Sequence, residues 1–212
     1  MMSEGLVRVS RRTTESEIEV ALNLGPRDPK LRDRIETPLP FFNHLLEHIA
    51  WRAEVNLEVA VRLTSFQLAH VVLEDVGDAL GRAVATYLAR TREHGAVGYG
   101  WALSTIDEAL SRVVVSFEGR ALLAMDHQVG LPERVEGMQS EDIAAFFEGF
   151  VQGGGCTLHA DVLKGKNGHH MWESLFRALG ESLGAAMARR PWREGITPGV
   201  AGPRELEVDV QL

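Results

Sequence analysis

The sequence predicts an α+β fold that is internally duplicated, each half-domain a mixed sheet with helices on one face. The first observation behind this is self-similarity. Displaced by 99 residues, His70 falls on His169, Glu74 on Glu173, and Ala79-Leu80-Gly81 on Ala178-Leu179-Gly180. The second is that further echoes keep the same order. LEVAV (57–61) matches LHADV (158–162), and FFNHLLEHIA (41–50) matches FFEGFVQGGG (146–155). The third is that each copy runs strands, helix, strand, helix. Residues 1–98 and 99–196 are then the two half-repeats, and 197–212 an irregular C-terminal tail.

In the first half, RVSRRTTESEIEVALNL (8–24) alternates in patches and carries Val and Thr, the pattern of a strand pair. PRDPK (26–30) is turn chemistry. FFNHLLEHIAWRA (41–53) has apolar residues at helical spacing, and NLEVAVRL (56–63) reads as a strand. The pattern from about 70 to 92 is helical, and the glycines of EHGAVGYG (93–100) end it. In the second half, SRVVVSF (111–117) is a strand with GRALLAMDHQ (119–128) as its partner. EDIAAFFEGFV (141–151) is a helix, TLHADVL (157–163) a strand, and 169–190 a long helix stopped before Pro191. From PWREGITPGV (191–200) onward the chain reads as irregular and exposed.

Composition narrows the function classes. The 212 residues are 45% hydrophobic and 25% charged, ordinary for a globular protein with a sizeable core. No apolar run approaches about 20 residues, so no membrane span is expected. The N-terminus lacks the apolar centre of a signal peptide. A single cysteine, Cys156, excludes an intramolecular disulfide framework, and a cytoplasmic location is expected. The net charge of −8 argues against nucleic acid as a partner but permits a small anionic substrate where basic side chains converge.

The chemistry lies in the paired histidine–glutamate spacing. On a helix, residues i and i+4 share a face, so His169 and Glu173 can bind one metal ion, as can His70 and Glu74. His170 points about 100° away and can serve a second ion. Imidazole with carboxylate suits Mn, Fe or Zn. His44, on the earlier helix, and His159, in a strand, could complete the shells. His48, His94 and His127 have no partner pattern and are read as surface residues.

Taken in order, these stretches carry a family resemblance. RRTTES (11–16), FFNHLL (41–46), LAHVVLED (68–75), DEAL (107–110), EGR (118–120), TLH (157–159) and NGHHMWE (167–173) resemble the motif series of the imidazoleglycerol-phosphate dehydratases of histidine biosynthesis, over about 8–196. The resemblance implies a metal-dependent hydro-lyase that removes water from imidazoleglycerol phosphate, giving imidazoleacetol phosphate. It also implies a large homo-oligomer, a 24-mer built from trimers, with two manganese ions between subunits. The metals act as Lewis acids. By motif match Glu15 shuttles the proton and Arg120 binds substrate, as does Arg177 where the family has lysine; Lys166, nearby in sequence, is a further substrate-binding candidate. One metal would take His70, Glu74, His159 and His170, the other His44, His169 and Glu173.

The sequence also departs from the family pattern. Val71 stands where a second histidine would ligate, Asn43 where an aspartate would orient His44, and His48 where the family has glutamine. At the phosphate end Gly98 replaces arginine, Trp192 serine and Glu194 lysine. Two readings follow: a divergent dehydratase with one weakened metal site, or a paralogue that keeps fold and assembly in a binding, structural or regulatory role. An unrelated metal hydrolase is a third. Restoring Val71→His, Gly98→Arg and Glu194→Lys together is expected to raise activity.

Overall fold

In the computed structural model, which describes residues 5–64 and 68–202, one topology occurs twice. The first half runs β1 (Leu6–Arg12), β2 (Ser16–Asn23), β3 (Ile35–Glu36), α1 (Pro40–Ala53), β4 (Asn56–Leu63) and α2 (Ala69–Thr91). Its sheet order is β1-β2-β4-β3, with only β3 and β4 parallel. The second half runs β5 (Tyr99–Ile106), β6 (Ala109–Ser116), β7 (Leu122–Ala124), a short hairpin of β8 (Arg134–Val135) and β9 (Met138–Gln139), α3 (Ser140–Gly154), β10 (Thr157–Lys164) and α4 (Gly168–Met187). Its order, β5-β6-β10-β7 with β7 parallel to β10, is the same.

Two local expectations are corrected. The partner of β6 is β5, whose Tyr99–Ile106 stretch the sequence pattern does not flag, and β10; the 119–128 segment supplies β7, which pairs with β10 instead. A parallel pairing needs a long crossover, which local alternation does not reveal. α4 ends at Met187, not at 190, because residues 188–190 turn back to pair with 95–98: Val97 N donates to Ala188 O, Gly98 N to Ala186 O, and Ala96 bridges Arg189. Residues 203–212 of the expected tail lie outside the described residues.

The helices are shared between the halves. α2 packs on β1 and β2, and α4 on β5, β6 and β10. The first helix of each half lies against the second helix of the other, α1 on α4 and α3 on α2. One continuous apolar core results, with Phe42, Phe146, Phe147, Phe150, Trp172 and Phe176 fully buried. A buried polar bond repeats as well. Ser16 Oγ donates to Asp75 Oδ2 at 2.6 Å between β2 and α2, and Ser111 Oγ meets Ser174 Oγ at 2.6 Å between β6 and α4.

The outer sheet faces differ. The first is charged, with ion pairs such as Arg8–Glu58 and Arg62–Glu17. The second exposes Trp101, Leu103, Val114 and Leu122, with Trp101 70% exposed. His159 pairs with Val114 and Ala124 in that sheet and is itself exposed.

Candidate metal centre

The start of α4 is fixed by its cap. Asn167 Oδ1 accepts the backbone N–H of His169 at 2.9 Å, satisfying a first-turn donor. The helix then buries Trp172, Leu175, Phe176, Leu179 and Leu183, which sets the rotation of His169, Glu173 and Arg177 toward α1. α1 opens on Pro40, pre-shaped for a first helical turn, and buries Phe41, Phe42, Leu45, Leu46 and Ile49. Contacts advance together along both helices, from His44–Glu173 to Arg52–Glu181 (2.8 Å), so α1 and α4 run in the same direction. Gly180 permits this: a Cβ there would stand 2.7 Å from Ile49 O.

Glu173, only 3% exposed, is the centre of the contact. Its Oε2 lies 3.1 Å from His44 Nε2 and 3.2 Å from His169 Nε2. Its Oε1 lies 3.0 Å from His48 Nε2 and accepts from Arg177 Nη2. Arg177 Nη1 also donates to Thr105 O at 3.1 Å. His44, His169 and Glu173 offer donor atoms all within 4.8 Å of one another. Donors held about 2.1 Å from one ion at right angles are about 3 Å apart, so the spacing fits a divalent cation.

Hairpin tips orient the histidines. The β8–β9 turn has Glu136 and Gly137 at φ 47° and 82°, the two left-handed residues a tight hairpin needs. It brings Glu136 Oε1 to 3.0 Å from His169 Nδ1, which leaves Nε2 for Glu173 or an ion. The β5–β6 tip does the same for His170, whose Nδ1 lies 2.8 Å from Glu108 Oε2. The sequence does not show these contacts, because only the hairpins bring the carboxylates to the rings.

Protonation follows from these contacts. Burial pushes His48 down to about 4, against the pull of Glu173, so its ring is neutral at pH 7. Burial alone would raise Glu173, but His48, His44 and Arg177 outweigh it and hold the carboxyl below its ordinary value. Burial pushes the Cys156 thiol up to about 12, which removes it as a thiolate donor. Glu108 is held at about 2, first by the Asn167 N–H and then by His170, and the same contact raises His170 above its ordinary 6.5. Glu108 therefore stabilises the fold fully above pH 4.5 and loses this as pH falls toward 2. His170 contributes fully below pH 6.5 and loses this as pH rises through its raised value. In metal-free Glu108→Gln protein, the NMR titration midpoint of His170 is expected to move down toward 6.5. An unchanged midpoint would contradict the contact.

Of the remaining predicted site residues, Arg177 joins this cluster through Glu173 and the others do not. His70 lies 3.5 Å from Glu74 and 3.8 Å from Asp142 on the α2–α3 side, with His70 and Glu74 toward solvent. His170 faces Glu108 and Asp107, and His159 sits on the outer face of the second sheet. Glu15 is exposed in the β1–β2 turn, its carbonyl accepting from Thr64 N at 3.0 Å. The neighbouring Ser16 binds Asp75 of α2. Arg120 pairs with Glu118 at 2.6 Å and lines a cavity of about 320 Å³ with Gly98 and Pro198. Arg177 lines a different cavity, of about 760 Å³, with His44 and His48. Lys166 is exposed, its N–H donating to Glu108.

Two histidine assignments are corrected. His48 is part of the centre, not a surface residue; its i+4 spacing from His44 was the available signal. His127 is half-buried, its Nδ1 accepting Val162 N–H at 3.1 Å. Asn43 makes its bonds with Thr37, accepting from its N–H (3.0 Å) and hydroxyl (2.6 Å) and donating to its carbonyl (3.2 Å).

The fold and site together define a duplicated α+β protein with an imidazole–carboxylate centre where its two halves cross. Comparison with known proteins gives this class its family. A family model described as imidazoleglycerol-phosphate dehydratase matches residues 37–183. An imidazoleglycerol-phosphate dehydratase of Thioalkalivibrio sulfidiphilus is 38% identical over 202 residues, 95% of this chain and 99% of that protein. One of Cellvibrio japonicus is 37% identical over 201 residues, again 95% and 99%. The crystal structure of the Pyrococcus furiosus protein superposes with a TM-score of 0.77 at 25% identity, covering 92% of this chain and 100% of that one. The Staphylococcus aureus structure gives 0.71 at 25% identity, covering 87% and 99%. The chain belongs to the imidazoleglycerol-phosphate dehydratase family.

Proposed function

We propose that the chain is a metal-dependent hydro-lyase of histidine biosynthesis, removing water from imidazoleglycerol phosphate as a cytoplasmic homo-oligomer. The observation that carries this is the convergence of His44, His169 and Glu173. A bound divalent ion, manganese by the resemblance, would supply Lewis acidity there. Glu173 holds the two rings together, and Glu136 fixes the His169 ring so that Nε2 faces the centre. Glu15, exposed and clear of the buried network, is the proposed proton carrier. His70, Glu74, His159 and His170 are proposed as a second set, completed between chains. Support comes from His159 lying on the apolar outer face beside Val114 and from His70 and Glu74 facing solvent. Arg120, Lys166 and Arg177 remain the proposed anion-binding residues, likewise brought together between chains.

The second reading, a paralogue without the native activity, has its own support. Gly98 has φ +76°, and a Cβ there would stand 2.3 Å from Pro198 Cγ. The tail thus fills the space an arginine side chain would need, while Glu118 neutralises Arg120. Gly98→Arg, one of the three restorations expected together to raise activity, costs about 1–2 kcal/mol of stability for the left-handed backbone and displaces Pro198. Thermal unfolding of that variant is expected to show the loss; an unchanged Tm would show that the tail yields freely. The readings separate on turnover of imidazoleglycerol phosphate by manganese-loaded protein. Turnover that chelator removes and manganese restores supports the hydro-lyase. Bound metal with no turnover at millimolar substrate supports the paralogue.

A further inference from the structure

The α1–α4 contact carries one imidazole more than the three-donor set uses. His48 lies one turn after His44 on the same face of α1. Its Nε2 is 3.0 Å from Glu173 Oε1 and 3.3 Å from His44 Nε2. Its side chain is 19% exposed, so it is largely withdrawn from water. Two ring nitrogens facing each other at this separation, with one carboxylate touching both, have the spacing of donors around a shared cation. Arg177 reaches the same oxygen from one turn further along α4 and is anchored to Thr105 O.

The other helix crossing gives an independent observation. By the internal repeat, Gly149 and Gly153 of α3 take the places of His44 and His48 of α1. There α3 lies directly on α2, and a Cβ at Gly149 would stand 2.0 Å from Glu74 O. Glu74, the counterpart of Glu173, is 50% exposed. The histidine pair and the enclosed carboxylate therefore occur together, at one crossing of the two.

Resting on the reading of His44, His169 and Glu173 as a metal centre, we propose that His48 is its fourth protein donor. α1 and α4 of one chain would then hold a divalent cation without a ligand from residue 71, where Val71 has no donor atom to offer.

The test uses the full chain and manganese alone. Binding is measured by the EPR signal of free Mn2+, and the component that His44→Gln abolishes defines the centre. His48→Gln, close in shape, is expected to weaken that component about tenfold or more, with the melting temperature of metal-free protein little changed. In wild type, pulsed EPR of the same component is expected to show coupling to three imidazole nitrogens. This second readout needs no variant and separates a direct donor from a merely supporting residue. Coupling to two nitrogens, or His48→Gln binding within twofold of wild type, overturns the proposal and leaves the three-donor reading standing. Wild-type protein with no His44-dependent binding overturns both.

Discussion

Glu173→Gln is expected to abolish manganese binding at the α1–α4 contact, to cut any dehydratase turnover by at least about 100-fold, and to lower the stability of the metal-free protein by about 3 kcal/mol. Burial sets these magnitudes. The carboxylate is 3% exposed and is the counter-charge for Arg177, itself 18% exposed, as well as the partner of three imidazoles. Gln keeps the shape and removes the charge, so a buried guanidinium loses its ionic partner. For a chain of this size such a loss corresponds to a fall in Tm of about 6–12 °C. The pH dependence has a definite sign. Because the folded protein holds Glu173 below its ordinary 4.5, its stabilisation is complete above that pH and is lost as acid protonates it. The variant should therefore lose less stability than wild type on acidification below pH 4.5. Thermal melts of both proteins over that range measure this; equal Tm values at pH 7 would mean that the contact is not the ionic centre described.

Much of the fold was legible because period and repetition are local signals. The helix over 70–92 is found at Ala69–Thr91, and the 99-residue displacement places His70 and His169 as the second residues of α2 and α4. His169 and Glu173 were legible as one helical pair, and His44 as their companion. What stayed hidden depended on register between distant segments. Nothing near His48 in sequence shows that Glu173, on another helix, lies 3.0 Å from it. Nothing near His169 or His170 shows that turns at 136–137 and 107–108 present carboxylates to them. β7 was assigned to the wrong partner for the same reason. The repeat was visible, but its consequence was not: the halves exchange helices, so equivalent positions meet different neighbours. His44 meets Glu173, whereas its counterpart Gly149 lies on the backbone of Glu74.

That exchange makes the α2–α3 crossing the place where the smallest substitution should do most harm to the fold. A Cβ on Gly77 would lie 2.2 Å from Phe146 O, and one on Gly81 2.2 Å from Phe150 O and 2.7 Å from Gly154 N. From the other side, Gly149 and Gly153 would each meet a carbonyl of α2 at 2.0 Å. These obstacles are helix backbone, which cannot rotate aside as a side chain can. In an open helix Gly→Ala gains about 1 kcal/mol from propensity; here overpacking of about 1–3 kcal/mol opposes it, and the shortfall of more than an ångström from ordinary contact at 3.4 Å puts the cost at the upper end. Gly81→Ala is therefore expected to destabilise by about 2 kcal/mol in denaturant unfolding. Gly77→Ala with Gly81→Ala should cost less than the sum of the two, because one separation of the helices relieves both clashes. Gly130→Ala, whose Cβ would meet nothing within 4 Å among the described residues beyond its chain neighbours, is the neutral control. The His44–Glu173 contact lies at the other crossing, so manganese binding by Gly81→Ala protein that is still folded should match wild type. A stabilised Gly81→Ala protein would show that α2 and α3 do not approach this closely.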